Sequence, residues 1–289
     1  MMKQEQHDRC RLCTLYSGSG GNATYISDGE TAILIDAGKS AKALTRALTE
    51  IHALPEGKQK GMGRLPVDAI FITHEHTDHI SALKVFLKKY PIPVHVTEQS
   101  APYLYAVAGD TPLRDLIVSH PPIFTEQIGG LTVRSFPTSH DSRMSVGYRV
   151  TMRDACGNFR EFGYATDLGK VTPYVEEGLC GCEAVVLESN HDPDMLLDGP
   201  YPYSLKLRIR SSTGHLSNDA AANFAARLTE SGTCRFLLAH LSKENNMPLL
   251  ALEAFKGVLK DADVTLSVAD PENVTYLVGG VEEYTEELC

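Results

Sequence analysis

The run His74-Glu75-His76-Thr77-Asp78-His79 places four potential metal ligands within six positions. It follows residues 67–73, an apolar run of strand length, and it precedes residues 80–89, whose apolar side chains recur at helical spacing. The run therefore lies in a loop between a strand and a helix. Imidazole nitrogens and carboxylate oxygens are donors that a divalent ion requires, so their crowding at a strand end predicts a metal centre. A polar loop with solvated histidines is the alternative.

The composition of this 289-residue chain, 43% hydrophobic and 22% charged, is that of a globular protein with a substantial core. No apolar stretch approaches the roughly 18 residues of a membrane span, and the N-terminal 11 residues lack the apolar region of a secretory signal. We therefore expect a cytoplasmic protein without a membrane partner. Seven cysteines, an odd number, favour reduced thiols, and we interpret Cys13 as an ordinary strand residue.

The net charge of −10 does not indicate a surface that binds nucleic acid over its whole extent. Local charge can differ from this average. Bound divalent ions make the potential positive at the place where a substrate arrives. A nucleic-acid substrate is therefore compatible with the charge at a metal centre.

Strands and helices follow one another in an order that predicts the fold class. Strands come first in consecutive groups, with a glycine-rich turn at residues 17–22, and later alternate with helices. A two-sheet sandwich covered by helices fits this order better than a doubly wound sheet. We see no repeat or linker and predict one domain over residues 1–289, with a loop at 55–66. The predicted strands are 12–16, 23–27, 32–36, 67–73, 131–136, 147–152, 159–165, 184–187, 235–238 and 264–268, and the predicted helices are 40–54, 80–89, 218–229 and 248–259.

The motif His-x-His-x-Asp-His resembles that of the metallo-β-lactamase superfamily. This resemblance implies an α/β (α+β) fold in which two mixed β-sheets and flanking helices form a four-layer αββα sandwich. It also implies three further ligands, each directly after a strand, and the chain supplies His140, Asp167 and His240 in the expected order. The ligands so implied are His74, His76 and His140 for one ion, Asp78, His79 and His240 for a second ion, and Asp167 between the two.

Two divalent metal ions, of zinc, manganese or iron, are the cofactors that this resemblance implies. Two neighbouring cations make a hydroxide available as a nucleophile near neutral pH and stabilise charge on the attacked centre. Asp78 is a candidate to orient that nucleophile as well as to bind metal. Glu75 has no ligand role in the pattern, and we expect it to face solvent or to support the ligands from behind.

Segments of the C-terminal half resemble one group of the superfamily, the YycJ/WalJ nucleases. These segments are residues 187–192, 214–218 and 239–246. The same half is similar in layout to ribonuclease Z, which implies a proton-donating pair formed by Glu188 and His215. The chain departs from ribonuclease Z in lacking an exosite arm, so transfer RNA is not the expected substrate.

Further polar residues of the C-terminal half are candidates for binding substrate or supporting the metal ligands. Three basic side chains shortly before His215 can meet backbone phosphates, although a solvated face explains them equally well. For His215 itself, a structural hydrogen-bonded histidine is the alternative. These candidates are Lys206, Arg208 and Arg210 as phosphate contacts, and Asn190 and His191 as supports of the ligands.

Three hypotheses of function follow from these residues. The first is a two-metal phosphodiesterase, a nuclease with DNA preferred over RNA as its substrate and an exonuclease mode. The second is a small-molecule esterase, lactonase or thioesterase that uses the same metals without a dedicated proton donor. The third is a metal-dependent nucleic-acid-binding module with little turnover. Redox chemistry is disfavoured, because flavodiiron oxidoreductases carry a carboxylate at the position of His76.

Overall fold

Two β-sheets of seven strands each form the centre of the computed structural model, which describes residues 9–53, 65–109, 112–260 and 262–279. The N-terminal sheet contains, in spatial order, β14 (Thr275–Val278), β1 (Arg11–Tyr16), β2 (Ala23–Ser27), β3 (Ala32–Ile35), β4 (Ala69–Phe71), β5 (Val94–Thr97) and β6 (Ile117–His120). The second sheet contains, in spatial order, β13 (Thr265–Val268), β12 (Arg235–Ala239), β11 (Ala184–Glu188), β10 (Phe159–Ala165), β9 (Val146–Arg153), β8 (Leu131–Pro137) and β7 (Thr125–Ile128).

Helices pack on the outer faces of both sheets. The first half of the chain contributes α1 (Ala41–Glu50), α2 (Thr77–Ile80), α3 (Leu83–Lys89), α4 (Ala101–Ala108) and a 3-10 turn at Pro112–Leu116. The second half contributes α5 (Pro173–Leu179), α6 (Pro193–Asp198), α7 (Tyr203–Ile209), α8 (Asn218–Glu230) and α9 (Pro248–Leu259). No helix in the described part of the chain is long and apolar enough to cross a membrane.

Alternating side chains of the strands divide the core into three hydrophobic clusters. Within β3, Ile33 and Ile35 belong to the cluster between the two sheets, whereas Leu34 packs with helix residues on the outer face. Within β11, Val186 faces the other sheet and Val185 faces the helices. Because both faces of these strands are covered, their sequences are nearly continuous apolar runs. The layers follow the order helix, sheet, sheet, helix, which confirms the predicted αββα sandwich.

Parallel strands on one side of each sheet determine where the functional site lies. The strands β3 to β6 are parallel neighbours in the N-terminal sheet, and β10 to β13 are parallel neighbours in the second sheet. The carboxyl ends of parallel strands meet at one edge of a sheet, and ligands of open α/β sheets bind outside that edge. The loops that follow β4, β10, β11 and β12 are therefore neighbours.

The predicted elements are present, with differences at their ends. The strands β2 and β10 and the helix α9 have the predicted bounds, and Cys13 is a buried free thiol in β1, as predicted. The helix predicted over 80–89 is interrupted, because the amide of Ala82 donates to the carbonyl of Ala37 and leaves the helical ladder. The helix predicted over 40–54 ends at Glu50, and the loop predicted at 55–66 lies almost wholly outside the described residues.

Candidate metal centre and active-site cleft

Backbone hydrogen bonds from two neighbouring loops hold the histidine-rich loop in place. The amide of Asn22 donates to the carbonyl of Asp78 at 2.8 Å, and the amide of Ala37 donates to the carbonyl of His79 at 2.8 Å. Gly38 lies so close that a Cβ atom added to it would stand 1.6 Å from the carbonyl oxygen of Asp78. The glycine-rich turn and the loop after β3 thus position Asp78 and His79 directly.

The predicted ligands lie together at this edge of the sandwich. In each of three groups, the potential ligand atoms all lie within 4.8 Å of one another. The carboxylate of Asp167 reaches both sides of the cluster, with Oδ2 3.4 Å from Nε2 of His79 and Oδ1 3.6 Å from Nε2 of His140. The three groups are His74, His76 and His140; Asp78, His79 and His240; and His74, His79 and Asp167.

The separations in the cluster suit metal ligands better than hydrogen bonds. Oδ2 of Asp78 lies 3.5 Å from Nε2 of His79 and 3.8 Å from Nε2 of His240, beyond the usual 2.7–3.2 Å of a hydrogen bond. Nε2 of His74, Nε2 of His240 and Oδ2 of Asp167 are buried without a hydrogen-bond partner. Buried polar atoms are rarely left in this condition, and divalent cations bound within the cluster would satisfy them. The donor set therefore fits divalent metal.

In four of the five histidines of the cluster, Nδ1 contacts a neighbouring acceptor or hydroxyl group. Such contacts fix the orientation of a ligand histidine and leave its second nitrogen directed at the metal. The contacts of the Nδ1 atoms are His79 to Oδ2 of Asp36 at 2.7 Å, His240 to Oε1 of Glu188 at 2.9 Å, His140 to the carbonyl of Gly214 at 3.2 Å, and His74 to Oγ1 of Thr73 at 3.0 Å.

Asp36 is a buried carboxylate beside the predicted ligands, and the sequence pattern did not single it out. Its side chain is fully buried and accepts hydrogen bonds from the amide and hydroxyl groups of Thr73 at 2.8 and 2.9 Å. Burial alone would lower the pKa of His79, but the carboxylates of Asp36 and Asp167 outweigh it and raise that pKa to about 10. The available signal was an aspartate directly after an apolar strand, but the sequence pattern places Asp36 inside that strand.

We expect Asp36→Asn to weaken metal binding by about 10- to 100-fold, because the amide cannot replace both lone-pair contacts of the carboxylate. The measurement is a competition titration of bound metal against a chelator. Asp68→Asn is the matched control, since Asp68 accepts a hydrogen bond from the amide of Ala32 at the opposite end of the same strand. Equal metal affinity in both variants would contradict the role of Asp36.

Three strand-end residues adopt a backbone conformation that side chains usually avoid. Asp36, Asp167 and His240 have φ angles of 63°, 58° and 58° and lie one or two residues after the ends of β3, β10 and β12. A non-glycine residue in this region costs on the order of 1–3 kcal/mol and is concentrated at functional sites. The strain turns each side chain over the end of its strand and toward the centre of the cluster.

Glu188 joins the metal ligands to His215. Its Oε1 atom lies 2.8 Å from Nδ1 of His215 and 2.9 Å from Nδ1 of His240, and its carboxylate also accepts the amide of Leu168. Burial would raise the pKa of Glu188, but His215 and His240 outweigh it and lower that pKa to about 2. In return, Glu188 raises the pKa of His215 against the effect of burial. The pair favours a charged His215 at the wall of the cleft.

A further group of potential ligand atoms lies within 4.8 Å of one another. It consists of Asp167, Glu188, His215 and His240. The hydrogen bonds of Glu188 argue against that role. Its two oxygens accept from two imidazoles and from three backbone amides, at 2.8–3.2 Å. A carboxylate engaged in this way has little free electron density for a metal, so Glu188 is better suited to orient the two histidines.

A cleft of about 240 Å³ opens over the ligand cluster. The helix α7 forms one wall of the cleft. The side next to the cluster is lined by His76, Asp78, His140, Asp167 and His240. Of the three predicted phosphate contacts, Arg208 alone lines the cleft, where Nε lies 2.5 Å from Oδ2 of Asp141. Lys206 instead donates to the carbonyl of Leu197 at 2.6 Å, and Arg210 lies outside the lining.

The three residues predicted to support the ligands have different contacts. Glu75 accepts hydrogen bonds from Oγ of Ser100 at 2.6 Å and from the amide of Arg143 at 2.8 Å. These bonds hold the histidine-rich loop against its neighbours. Asn190 donates to the carbonyl of His240 at 2.9 Å and lines the cleft. His191 is buried, and burial lowers its pKa to about 4.

The glycine-rich turn supplies two side-chain contacts to the ligands, which the sequence reasoning did not assign. Oγ of Ser17 accepts the amide of His240 at 2.8 Å. Nδ2 of Asn22 lies 3.2 Å from Nε2 of His79. The turn therefore contacts predicted ligands from both halves of the chain.

Comparison with known proteins agrees with this geometry. A family model described as "Beta-lactamase superfamily domain" matches residues 31–241. The chain belongs to this superfamily. It is 37% identical over 248 residues to exodeoxyribonuclease YycJ of Bacillus anthracis, covering 86% of this chain and 88% of that protein. It is 34% identical over 258 residues to exodeoxyribonuclease WalJ of Streptococcus pneumoniae, covering 88% and 90% of the two chains. The resemblance to the YycJ/WalJ group is thus confirmed.

Solved structures confirm the fold of this superfamily member. The metallo-β-lactamase fold protein YhfI from Bacillus subtilis superimposes with a TM-score of 0.64 at 15% identity, covering 92% of this chain and 99% of that chain. Human tRNase Z, short form, superimposes with a TM-score of 0.61 at 17% identity and the same coverage. With its superfamily and its relatives, the chain is a metal-dependent hydrolase.

Proposed function

We propose that this hydrolase is a two-metal phosphodiesterase that degrades nucleic acid from a strand end, with DNA preferred over RNA. The observation that carries the proposal is the Glu188–His215 pair, which lies beside the ligand cluster and whose histidine lines the cleft. Cleavage of a phosphodiester needs a proton for the leaving oxygen, and this pair is built to supply one. The exodeoxyribonuclease relatives support the same substrate class.

The ligand assignment is part of the proposal. His74, His76 and His140 would hold one ion, and these three residues form one of the groups of close ligand atoms. Two bound divalent ions supply a nucleophile near neutral pH and positive charge for the oxygens of the attacked phosphate. The second ion would be held by Asp78, His79 and His240, and Asp167 would contact both ions.

His215 would act as the proton donor. Nδ1 of His215 is held by Glu188 at 2.8 Å, so the proton available to a substrate is the one on Nε2. As the bond between phosphorus and the leaving oxygen breaks, that proton passes to the oxygen. Glu188 stays ionised and stabilises the imidazolium before the transfer. Asp78 lines the cleft and would orient the attacking group.

A metal-supplemented cleavage assay tests the proposal most directly. The purified protein is incubated with manganese or zinc and with labelled single- and double-stranded DNA and RNA, each labelled at one end or the other. We expect mononucleotide release from linear DNA, slower release from RNA, and no cleavage of circular single-stranded DNA. Absence of cleavage of every nucleic acid, or efficient cutting of the circle, would contradict the proposed function.

Arg208 would contact a phosphate of the substrate. We expect Arg208→Ala to weaken DNA binding at every sequence and to lower the salt dependence of binding by about one counterion. The measurement is the dissociation constant of a labelled oligonucleotide at several salt concentrations. Arg210→Ala is the matched control, because Arg210 is exposed at the end of the same helix but does not line the cleft. The same salt dependence in Arg208→Ala and the parent protein would refute this contact.

A further inference from the structure

A second cavity, which we call the rear cavity, adjoins the active-site cleft. It measures about 210 Å³ and lies between residues 17–20 of the glycine-rich turn, residues 241–243 after β12, and the turn at 269–272 before β14. Ser19, Leu241 and Ser242 line both the cleft and the rear cavity. A chain molecule bound at the metal ligands can therefore continue into the rear cavity.

The size of the rear cavity suits one small unit. Its volume of about 210 Å³ is several times the roughly 30 Å³ that a water molecule occupies in the liquid. It is below the roughly 300 Å³ at which pockets for drug-sized ligands begin. Its walls combine the apolar side chains of Leu241, Pro248 and Pro271 with serine hydroxyl groups. An apolar, flat group with a polar attachment, such as a nucleoside, matches such walls.

Two cations stand at the rim of the rear cavity. Lys243 is exposed and forms part of the lining. Nζ of Lys39 lies 2.8 Å from Oε1 of Glu272, which lines the cavity, and 3.3 Å from the position of a Cβ atom on Gly20. Because Glu272 pairs with Lys39, Lys243 is the lining cation that can meet a negatively charged group.

We infer that the rear cavity binds the terminal nucleotide of the strand, on the far side of the phosphodiester bond that lies over the metal ligands. This inference rests on the proposed function. The nucleoside occupies the space between Leu241, Pro248 and Pro271, and its phosphate lies near Lys243. Because the cavity has room for one nucleotide, it selects strand ends over internal positions. The same cavity therefore accounts for an exonuclease rather than an endonuclease mode.

Pro271→Trp is the variant that tests this inference, because the indole fills the rear cavity from its exposed rim. Pro271 is exposed, and the turn around it is held by Asp270, whose carboxylate accepts the amides of Glu272 and Asn273. The turn should therefore keep its shape. Pro91→Trp is the matched control, since Pro91 is an exposed proline that does not line the cavity.

Two readouts separate this inference from the proposed function. Calorimetry with deoxyadenosine 5′-monophosphate and with the 3′-monophosphate should detect binding of one of them to the parent protein and to Pro91→Trp. In Pro271→Trp, that binding and kcat/KM for an oligonucleotide should fall by at least about tenfold, which is 1.4 kcal/mol. Hydrolysis of bis(p-nitrophenyl) phosphate, which has no nucleoside, should stay within about twofold, well under that 1.4 kcal/mol. The mononucleotide that binds shows which end of the strand enters.

The opposite results have distinct meanings. Unchanged mononucleotide binding and oligonucleotide turnover in Pro271→Trp would overturn the inference while leaving the phosphodiesterase intact. Equal losses with bis(p-nitrophenyl) phosphate and the oligonucleotide would also overturn it, because the variant would then disturb the metal centre. If the parent protein hydrolyses neither phosphodiester, the proposed function fails. In that case, mononucleotide binding that is lost in Pro271→Trp but kept in Pro91→Trp would still locate the nucleotide in the rear cavity.

Discussion

Asp167→Ala is expected to remove bound metal and to lower phosphodiester hydrolysis by about 10³-fold. The carboxylate of Asp167 approaches His79 with one oxygen and His140 with the other, so its loss affects both halves of the cluster. A bound metal ion is worth several kcal/mol of transition-state stabilisation, and each 1.36 kcal/mol corresponds to a factor of about ten in rate. Elemental analysis and initial rates with bis(p-nitrophenyl) phosphate measure the two effects.

Two further variants distinguish loss of a metal ligand from misfolding and from the general loss of a negative charge in the cleft. Asp167 has a φ angle of 58°, a conformation that alanine adopts at a cost and asparagine adopts readily. Asp167→Asn should therefore fold and still lose metal, because it lacks the negative charge. Asp141→Ala removes another carboxylate from the same cleft. Its Oδ1 atom lies 3.4 Å from Nε2 of His140, but Asp141 belongs to none of the groups of close ligand atoms, so the variant should keep its metal. Full metal content in both Asp167 variants would refute the ligand assignment.

His215→Ala is expected to slow cleavage of DNA by about 10²- to 10⁴-fold, the usual contribution of a general acid, and to leave metal content unchanged. The leaving oxygen of a DNA strand is an alkoxide and needs the proton. The p-nitrophenolate ion leaves without one, so hydrolysis of bis(p-nitrophenyl) phosphate should fall much less. The ratio of the two rates therefore distinguishes a missing proton donor from a damaged metal centre.

His191→Ala provides the comparison for this experiment. His191 is a buried histidine in the same region, but it does not line the cleft. We expect it to preserve the ratio of DNA cleavage to bis(p-nitrophenyl) phosphate hydrolysis. Loss of metal from His215→Ala would show that His215 is a ligand, in line with its proximity to Asp167 and His240. Thioester or lactone turnover that survives His215→Ala, without DNA cleavage, would favour the small-molecule hydrolase.

The sequence predicts the fold where local patterns and burial agree. The strands β2 and β10 have their predicted bounds because their β-branched and aromatic residues are bordered by polar or turn residues. The strand β7 has the sequence Thr-Glu-Gln-Ile and alternates between exposed and half-buried residues, so nothing in it marks a strand. It becomes one through antiparallel pairing with β8. Likewise, β14 is held by its pairing with β1 from the far end of the chain.

The predicted ligands could be found in the sequence because they lie in loops that follow strands, and a strand followed by metal-binding side chains is a local pattern. The partners of those ligands are not local. Asp36 meets His79 from 43 positions away, and Glu188 meets His215 and His240 from 27 and 52 positions away. Which strand ends meet depends on the order of strands in the two sheets. That order also brings Arg208 to the cleft and creates the rear cavity, since each depends on distant segments of the chain packing together.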